Sequence, residues 1–113
     1  MAELNITERQ AGDVTILDMD GKVTIGEGSV ALRNAIRRLL GEGKSKILLN
    51  LGAVGYVDSS GIGEMVSGFV AISRREGSFK IINLPERVYE LLMICKLLTV
   101  IDVSENTRNA LAS

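Results

Sequence analysis

The segment Ile47-Leu48-Leu49-Asn50-Leu51 constrains the fold of this chain more than any other. A strand with one wet face alternates apolar and polar residues, whereas this run is almost continuously apolar. It therefore reads as a central strand covered on both faces, or nearly so, and such strands belong to parallel sheets whose crossovers are helices. The flanking sequence supplies those helices. Upstream, Leu32, Ile36, Leu39 and Leu40 recur at helical spacing from about Val30 to Leu40, with Arg33, Arg37 and Arg38 elsewhere on the surface and Gly41 and Gly43 as terminators. Downstream, Ile62, Met65, Val66, Phe69 and Ile72 keep the same period as far as Arg74 and Arg75.

The rest of the chain fits the same plan. Leu4 to Gln10 alternates like a half-exposed strand, Ala11-Gly12-Asp13 turns, and Val14 to Met19 returns as the second arm of an antiparallel hairpin. Gly21 to Gly28 reads as an irregular loop, with Gly28 or Ser29 capping the first helix. After Gly77, Phe79 to Asn83 forms a strand, and Leu84-Pro85-Glu86 opens a helix with the stripe Val88, Leu91, Leu92 and Cys95. A short strand over Val100 to Val103 and a helix over 105–112 close the chain. The expected fold class is α/β, one domain with a mixed sheet: a hairpin first, then parallel strands flanked by helices joined by right-handed crossovers. Such strands gather Gly21–Gly28, Tyr56–Gly61 and Asn83–Glu86 at one edge, where binding sites lie.

Chemistry is concentrated in Tyr56-Val57-Asp58-Ser59-Ser60-Gly61-Ile62-Gly63. Asp58, Ser59 and Ser60 fall at or beside the N-terminus of a helix whose pattern begins at Ile62, where unpaired N–H groups and the helix dipole favour negative charge. Gly61 and Gly63 remove side-chain bulk and allow another backbone to approach. Read alone, the motif also fits a plain capped loop-to-helix junction. On the following helix, Glu64, Ser67, Gly68 and Ala71 leave a surface of small residues against which another element can pack. A second glycine motif, Gly26-Glu27-Gly28-Ser29-Val30-Ala31, matches a dinucleotide-binding pattern, but the acidic residue expected about 20 positions on is absent and Asn50 and Leu51 stand there.

Composition excludes several function classes. The chain contains no histidine, so neither a Ser-His nor a Cys-His nucleophile pair nor an imidazole metal ligand can be assembled within it. Cys95 is the single cysteine and reads as a core residue with an inert thiol. A formal net charge of −1 gives no field to hold nucleic acid or an anionic membrane, so proteins are the expected partners. No apolar run approaches the roughly 20 residues needed to span a bilayer, and the N-terminus lacks a basic region followed by an apolar core. A cytoplasmic protein without cofactor or metal is expected.

The motif Asp58-Ser59-Ser60-Gly61-Ile62-Gly63, preceded by Ile47 to Leu51 and followed by an amphipathic helix, resembles the STAS-domain anti-sigma factor antagonists, or anti-anti-sigma factors. The likeness runs from the Asp20-Gly21 turn to Asn83-Leu84-Pro85 and implies one STAS domain over residues 1–113. In that family the serine directly after the aspartate accepts phosphate, which implies Ser59 here. The resemblance further implies that the unphosphorylated protein binds a serine-kinase-type anti-sigma factor, that phosphorylation releases it, and that a serine phosphatase resets it. The implied partner-binding residues are Asp58, Ser59, Ser60, Gly61, Ile62, Gly63, Glu64 and Ser67, with Gly26, Glu27 and Gly28 of the neighbouring loop. That loop, Lys22 to Gly28, departs from the acidic or polar cluster of many members and bears on the choice of partner. A different reading keeps the fold and makes the chain a STAS subunit of a transporter or signalling assembly, with Ser59 as a cap only. An independent enzyme is disfavoured by the missing catalytic side chains. The purified chain is accordingly expected to turn over no generic ester, phosphate or nucleotide substrate; turnover abolished by Ser59→Ala would show this reading to be wrong.

Overall fold

The computed structural model describes residues 3–94 and 102–104. Strands β1 (Leu4–Ala11) and β2 (Val14–Val23) form the expected antiparallel hairpin, with Ala11 opposite Val14 and Leu4 opposite Gly21. Gly12, at φ 62, supplies the left-handed residue of its tight turn. Helix α1 (Glu27–Gly41) leads to β3 (Lys46–Val57), α2 (Ser59–Ser73), β4 (Ser78–Ile82), α3 (Glu86–Ile94) and β5 (Asp102–Ser104). The sheet order is β1-β2-β3-β4-β5, parallel from β2 onward, so β3 is central as its apolar run requires. Cys95 and the helix expected over 105–112 lie outside the described residues, as does the side chain of Leu92.

Because each parallel crossover steps in the same direction, right-handed connections bring the helices to one face of the sheet. Leu17, Met19, Ile47, Leu49, Leu51, Phe79 and Ile81 from the strands meet Leu32, Ile36 and Leu39 of α1 and Ile62, Met65 and Ile72 of α2 in one buried cluster. On the other face, Ile16, Leu48 and Ile82 form a smaller one. Beside it runs a polar ladder. Arg9 pairs with Asp18, Asn50 Nδ2 donates to Asp18 Oδ1 at 2.8 Å, and Asn83 Nδ2 donates to Asn50 Oδ1 at 3.0 Å. The Arg9 guanidinium holds the Asp18 carboxyl below the usual carboxylate range.

Three boundaries differ from the sequence reading, each for a local reason. Strand β3 continues six residues beyond Leu51, through Gly52 and Gly55 to Val57. Its pairing with β2 slips between Asp18/Asp20 and between Gly21/Lys22, each time inserting an extra residue on β3. These are β-bulges, and they convert the buried period from two to three, so Leu51, Val54 and Val57 all face inward. Strand β2 likewise reaches Val23, so the Gly26–Gly28 turn follows a strand almost directly instead of a loop. Helix α1 then starts at Glu27 rather than Val30, capped by Gly26 at φ 95 and not by Gly28 or Ser29. Both of those residues are buried in the first turn, where the Ser29 hydroxyl donates back to the Gly26 carbonyl at 3.3 Å.

The small face of α2 receives α1. Gly68 is buried, and a Cβ placed on it would lie 2.8 Å from Ile36 Cδ1 of α1 and 3.3 Å from the Phe79 ring of β4. Gly28 is different in kind, because a Cβ there would overlap the backbone carbonyl of Lys22. Alanine gains roughly 1 kcal/mol over glycine in a helix at either position. At Gly68 the obstacle is the mobile end of an isoleucine, and Gly68→Ala should leave stability within about 1 kcal/mol of wild type. At Gly28 the obstacle is backbone, and Gly28→Ala should destabilise by about 2 kcal/mol or more despite the same propensity gain. Urea melts of the two variants check this, and equal effects would contradict it.

Candidate functional site

The bulged end of β3 carries the site. Pairing between β3 and β4 stops at Asn50–Ile82, whereas β3 runs on to Val57 beside β2 alone. Asn83, left-handed at φ 54, then turns the chain away towards α3. The overhanging tip of β3 delivers Asp58 to the N-cap of α2, whose first residue, Ser59, lies three residues before the Ile62 start that the apolar period suggests. An apolar period marks a buried face, and the first polar turn of a helix contributes nothing to it.

Asp58 is bound entirely through backbone donors. Its Oδ1 accepts from Ser60 N–H at 2.9 Å and Gly61 N–H at 3.1 Å, while Oδ2 accepts from Ile25 N–H at 2.9 Å. The Ile25 N–H above all, then those of Gly61 and Ser60, outweighs the opposing effect of burial and holds the carboxyl below its ordinary range. Asp58 N–H in turn donates to the Val23 carbonyl at 3.2 Å. One residue thus caps α2 and ties it to the β2–α1 loop.

The Asp58 oxygens engage N–H groups and not the Ser59 hydroxyl, so Asp58 orients the helix entry. It also occupies the N–H groups of Ser60 and Gly61, which are therefore not free to receive a phosphate. Ser59 stands in the first turn of α2 with its side chain exposed, and its hydroxyl makes no hydrogen bond to any described residue.

The glycines of the motif divide. Gly63 is exposed with open space where a Cβ would stand, which suits close approach from outside. Gly61 faces inward, where a Cβ would overlap the Val23 carbonyl oxygen and crowd Val57 Cγ1 at 2.8 Å. Gly28 and Ile62 are buried too. These three shape the surface from beneath, because burial leaves them little to offer a partner. Gly26 and Glu27 are exposed where the tethered loop enters α1. Glu64 and Ser67 lie apart from Ser59, in the groove between α1 and α2, where Glu64 pairs with Arg33 at 3.7 Å.

Two features around Ser59 escape sequence reasoning. Ile25, an apolar loop tip whose N–H is bonded to Asp58, is 77% exposed, and Tyr56, two residues before Asp58 in the chain, is 45% exposed. Ile25 follows Thr24 in a short stretch with no periodicity, so its exposure has no sequence signal. The second feature is a cavity of about 740 Å³ between the β3 tip, the start of α2 and the side of α3. Asp58 and Ser59 line one wall, Arg87, Glu90 and Leu91 the other. No described helix is long and apolar enough to cross a membrane.

Known proteins share this fold. The Bacillus subtilis (strain 168) anti-sigma-B factor antagonist is 30% identical over 101 residues, which span 89% of this chain and 91% of that protein. The crystal structure of an anti-sigma factor antagonist from Thermotoga maritima superposes with a TM-score of 0.90 at 24% identity, covering 95% of this chain and 92% of that one. The Bacillus cell fate determinant SpoIIAA in its phosphorylated form superposes with a TM-score of 0.75 at 14% identity, over 96% and 97% of the two chains. These structural likenesses establish the fold. Residues 5–110 match the STAS domain model, and with a curated relative among the anti-sigma factor antagonists the chain belongs to the STAS-domain family.

Proposed function

We propose that this protein is an anti-sigma factor antagonist switched by phosphorylation of Ser59. Unphosphorylated, it binds a serine-kinase-type anti-sigma factor and frees the sigma factor; the kinase then phosphorylates Ser59 with ATP and the complex ends, and a serine phosphatase restores the binding form. The observation that carries this reading is the environment of Ser59: an exposed hydroxyl without a partner among the described residues, on a helix entry held rigid by Asp58 and flanked by exposed Ile25 and Tyr56. Apolar anchors of this kind supply binding energy at the centre of protein interfaces. Asp58, Ser60, Gly63 and the Gly26–Glu27 loop complete the docking surface, with Gly28, Gly61 and Ile62 supporting it, and Glu64 and Ser67 extend it towards α1. The transfer chemistry belongs to the kinase, since no described residue makes a hydrogen bond to the Ser59 hydroxyl as a base would.

The switch is electrostatic. A phosphoserine carries about −1.5 to −2 charges at neutral pH, and here it would stand beside the Asp58 carboxylate. In the free protein water solvates that charge and the helix dipole opposes it, so the fold is retained. In the complex the same charge would lose its water, and a penalty of roughly 3 to 4 kcal/mol weakens binding more than a hundredfold.

After incubation with the cognate kinase and ATP, mass spectrometry should find phosphate on Ser59; phosphate on Ser60 instead would refute the assignment. Ser59→Asp should melt near wild type yet lose binding by more than a hundredfold in calorimetric titration, whereas Ser59→Ala should bind and never be released by ATP. Wild-type affinity in the aspartate variant, or loss of binding through unfolding, would sink the electrostatic account. Asp58 supplies a pH test. A carboxyl held below its ordinary range stabilises fully above that range, and the benefit is lost as pH falls through the folded value. The stability difference between wild type and Asp58→Asn should therefore be constant above about pH 5 and shrink below about pH 4. A difference that grows on acidification would contradict the clamp.

A further inference from the structure

A phosphate on Ser59 would be solvated and would feel the helix dipole, but few N–H groups at the helix N-terminus are open to bond it. The N–H groups of Ser60 and Gly61 are already taken by Asp58 Oδ1, and that of Ile25 by Oδ2. Only the Ser59 N–H remains in the first turn, while Asp58 itself adds a neighbouring negative charge. Beyond water and the helix dipole, a direct contact to the phosphate would come from a side chain.

Most cations in the described residues are committed elsewhere. Arg9, Arg33, Arg38, Lys44 and Lys46 are in ion pairs, and Arg75 donates to the Leu40 carbonyl. Arg87 makes no ion pair or hydrogen bond with any described residue, and it lines the same cavity as Ser59. Asp58 and Glu90 are the anions on those walls, and Tyr56 is the remaining titratable group. A guanidinium presents a planar fork of donors that matches phosphate oxygens bidentately. Lys22, the other uncommitted cation nearby, pairs in register with Tyr56 on β2 but is not part of the cavity wall.

We propose that Arg87 is the charge partner of a phosphate carried on Ser59, drawing it into the cavity between α2 and α3. This rests on the reading that Ser59 is phosphorylated, and it assigns α3 a part in the switch. The phosphorylated form is then a defined state, with its phosphate turned towards α3 and its fold retained, instead of a loose charge at a helix tip.

The test installs phosphoserine at position 59 by genetic encoding, so no kinase is needed. Phosphorus NMR then follows the second ionisation of the phosphate, which lies near 6 for an unperturbed phosphoserine. The otherwise wild-type chain should titrate below that value. Arg87→Gln should raise the midpoint by roughly half a pH unit, Arg87→Lys should restore part of the difference, and about 1 M salt should erase it. Thermal melts of each chain confirm that all are folded, as an exposed arginine permits. A midpoint unmoved by Arg87→Gln, or moved more by Lys22→Gln, would overturn the proposal. Either result would leave the Ser59 switch standing, and failure of any kinase to modify Ser59 would leave this measurement intact.

Discussion

The carboxylate of Asp58 is the joint on which the functional end of this protein depends. It satisfies two orphan donors of α2 and, through Ile25, one donor of the β2–α1 loop. An N-cap normally serves one helix. Here the same side chain fixes the angle between a helix and the loop of a neighbouring crossover, so Ser59 and Ile25 are presented as one surface. The arrangement also occupies the N–H groups of Ser60 and Gly61, so the helix start is not an open anion site.

Asp58 reaches that position only because β3 is long and bulged. A regular strand of the same length would alternate its side chains, and Leu51, Val54 and Val57 could not all face the core. The two slips in its pairing with β2 restore the inward direction at each step. Past Asn50 the strand has no partner on the β4 side, and the step left there opens the cavity bounded by α3. The ladder of Asp18, Asn50 and Asn83 sets this step, because Asn50 Oδ1 accepts from Asn83 at the end of β4 and also from the Gly52 N–H at 3.1 Å where the first bulge begins.

Close backbone approach is the second constraint. Gly28 and Gly61 rest on consecutive carbonyls at the end of β2, those of Lys22 and Val23. The first turns of α1 and α2 therefore converge on one strand end, and both helix N-termini flank the β2–α1 loop. Gly68 lets α1 and α2 pack side by side, which accounts for this glycine without any outside partner. Glycines that suggest an open, accessible surface in the sequence are for the most part internal contacts.

The sequence by itself determined the class of the fold, the order of its elements and the identity of the motif. These rest on local physics: continuous apolarity at Ile47–Leu51 demands a central parallel strand, the 3.6-residue stripes demand helices on its flank, and Asp58 before a helical pattern demands a cap. The absence of histidine and the near-zero net charge narrowed the function in the same way. Only the tertiary structure decided where β3 ends, which glycines face inward, which donors Asp58 binds, and that Ile25 and Arg87 stand near Ser59. Each of these is a relation between segments distant in the chain. A bulge is defined by its partner strand, a glycine's role by the backbone opposite it, and an arginine's availability by whether another carboxylate has already claimed it. No periodicity within a single segment encodes such relations, which is why the site's motif was legible and its surroundings were not.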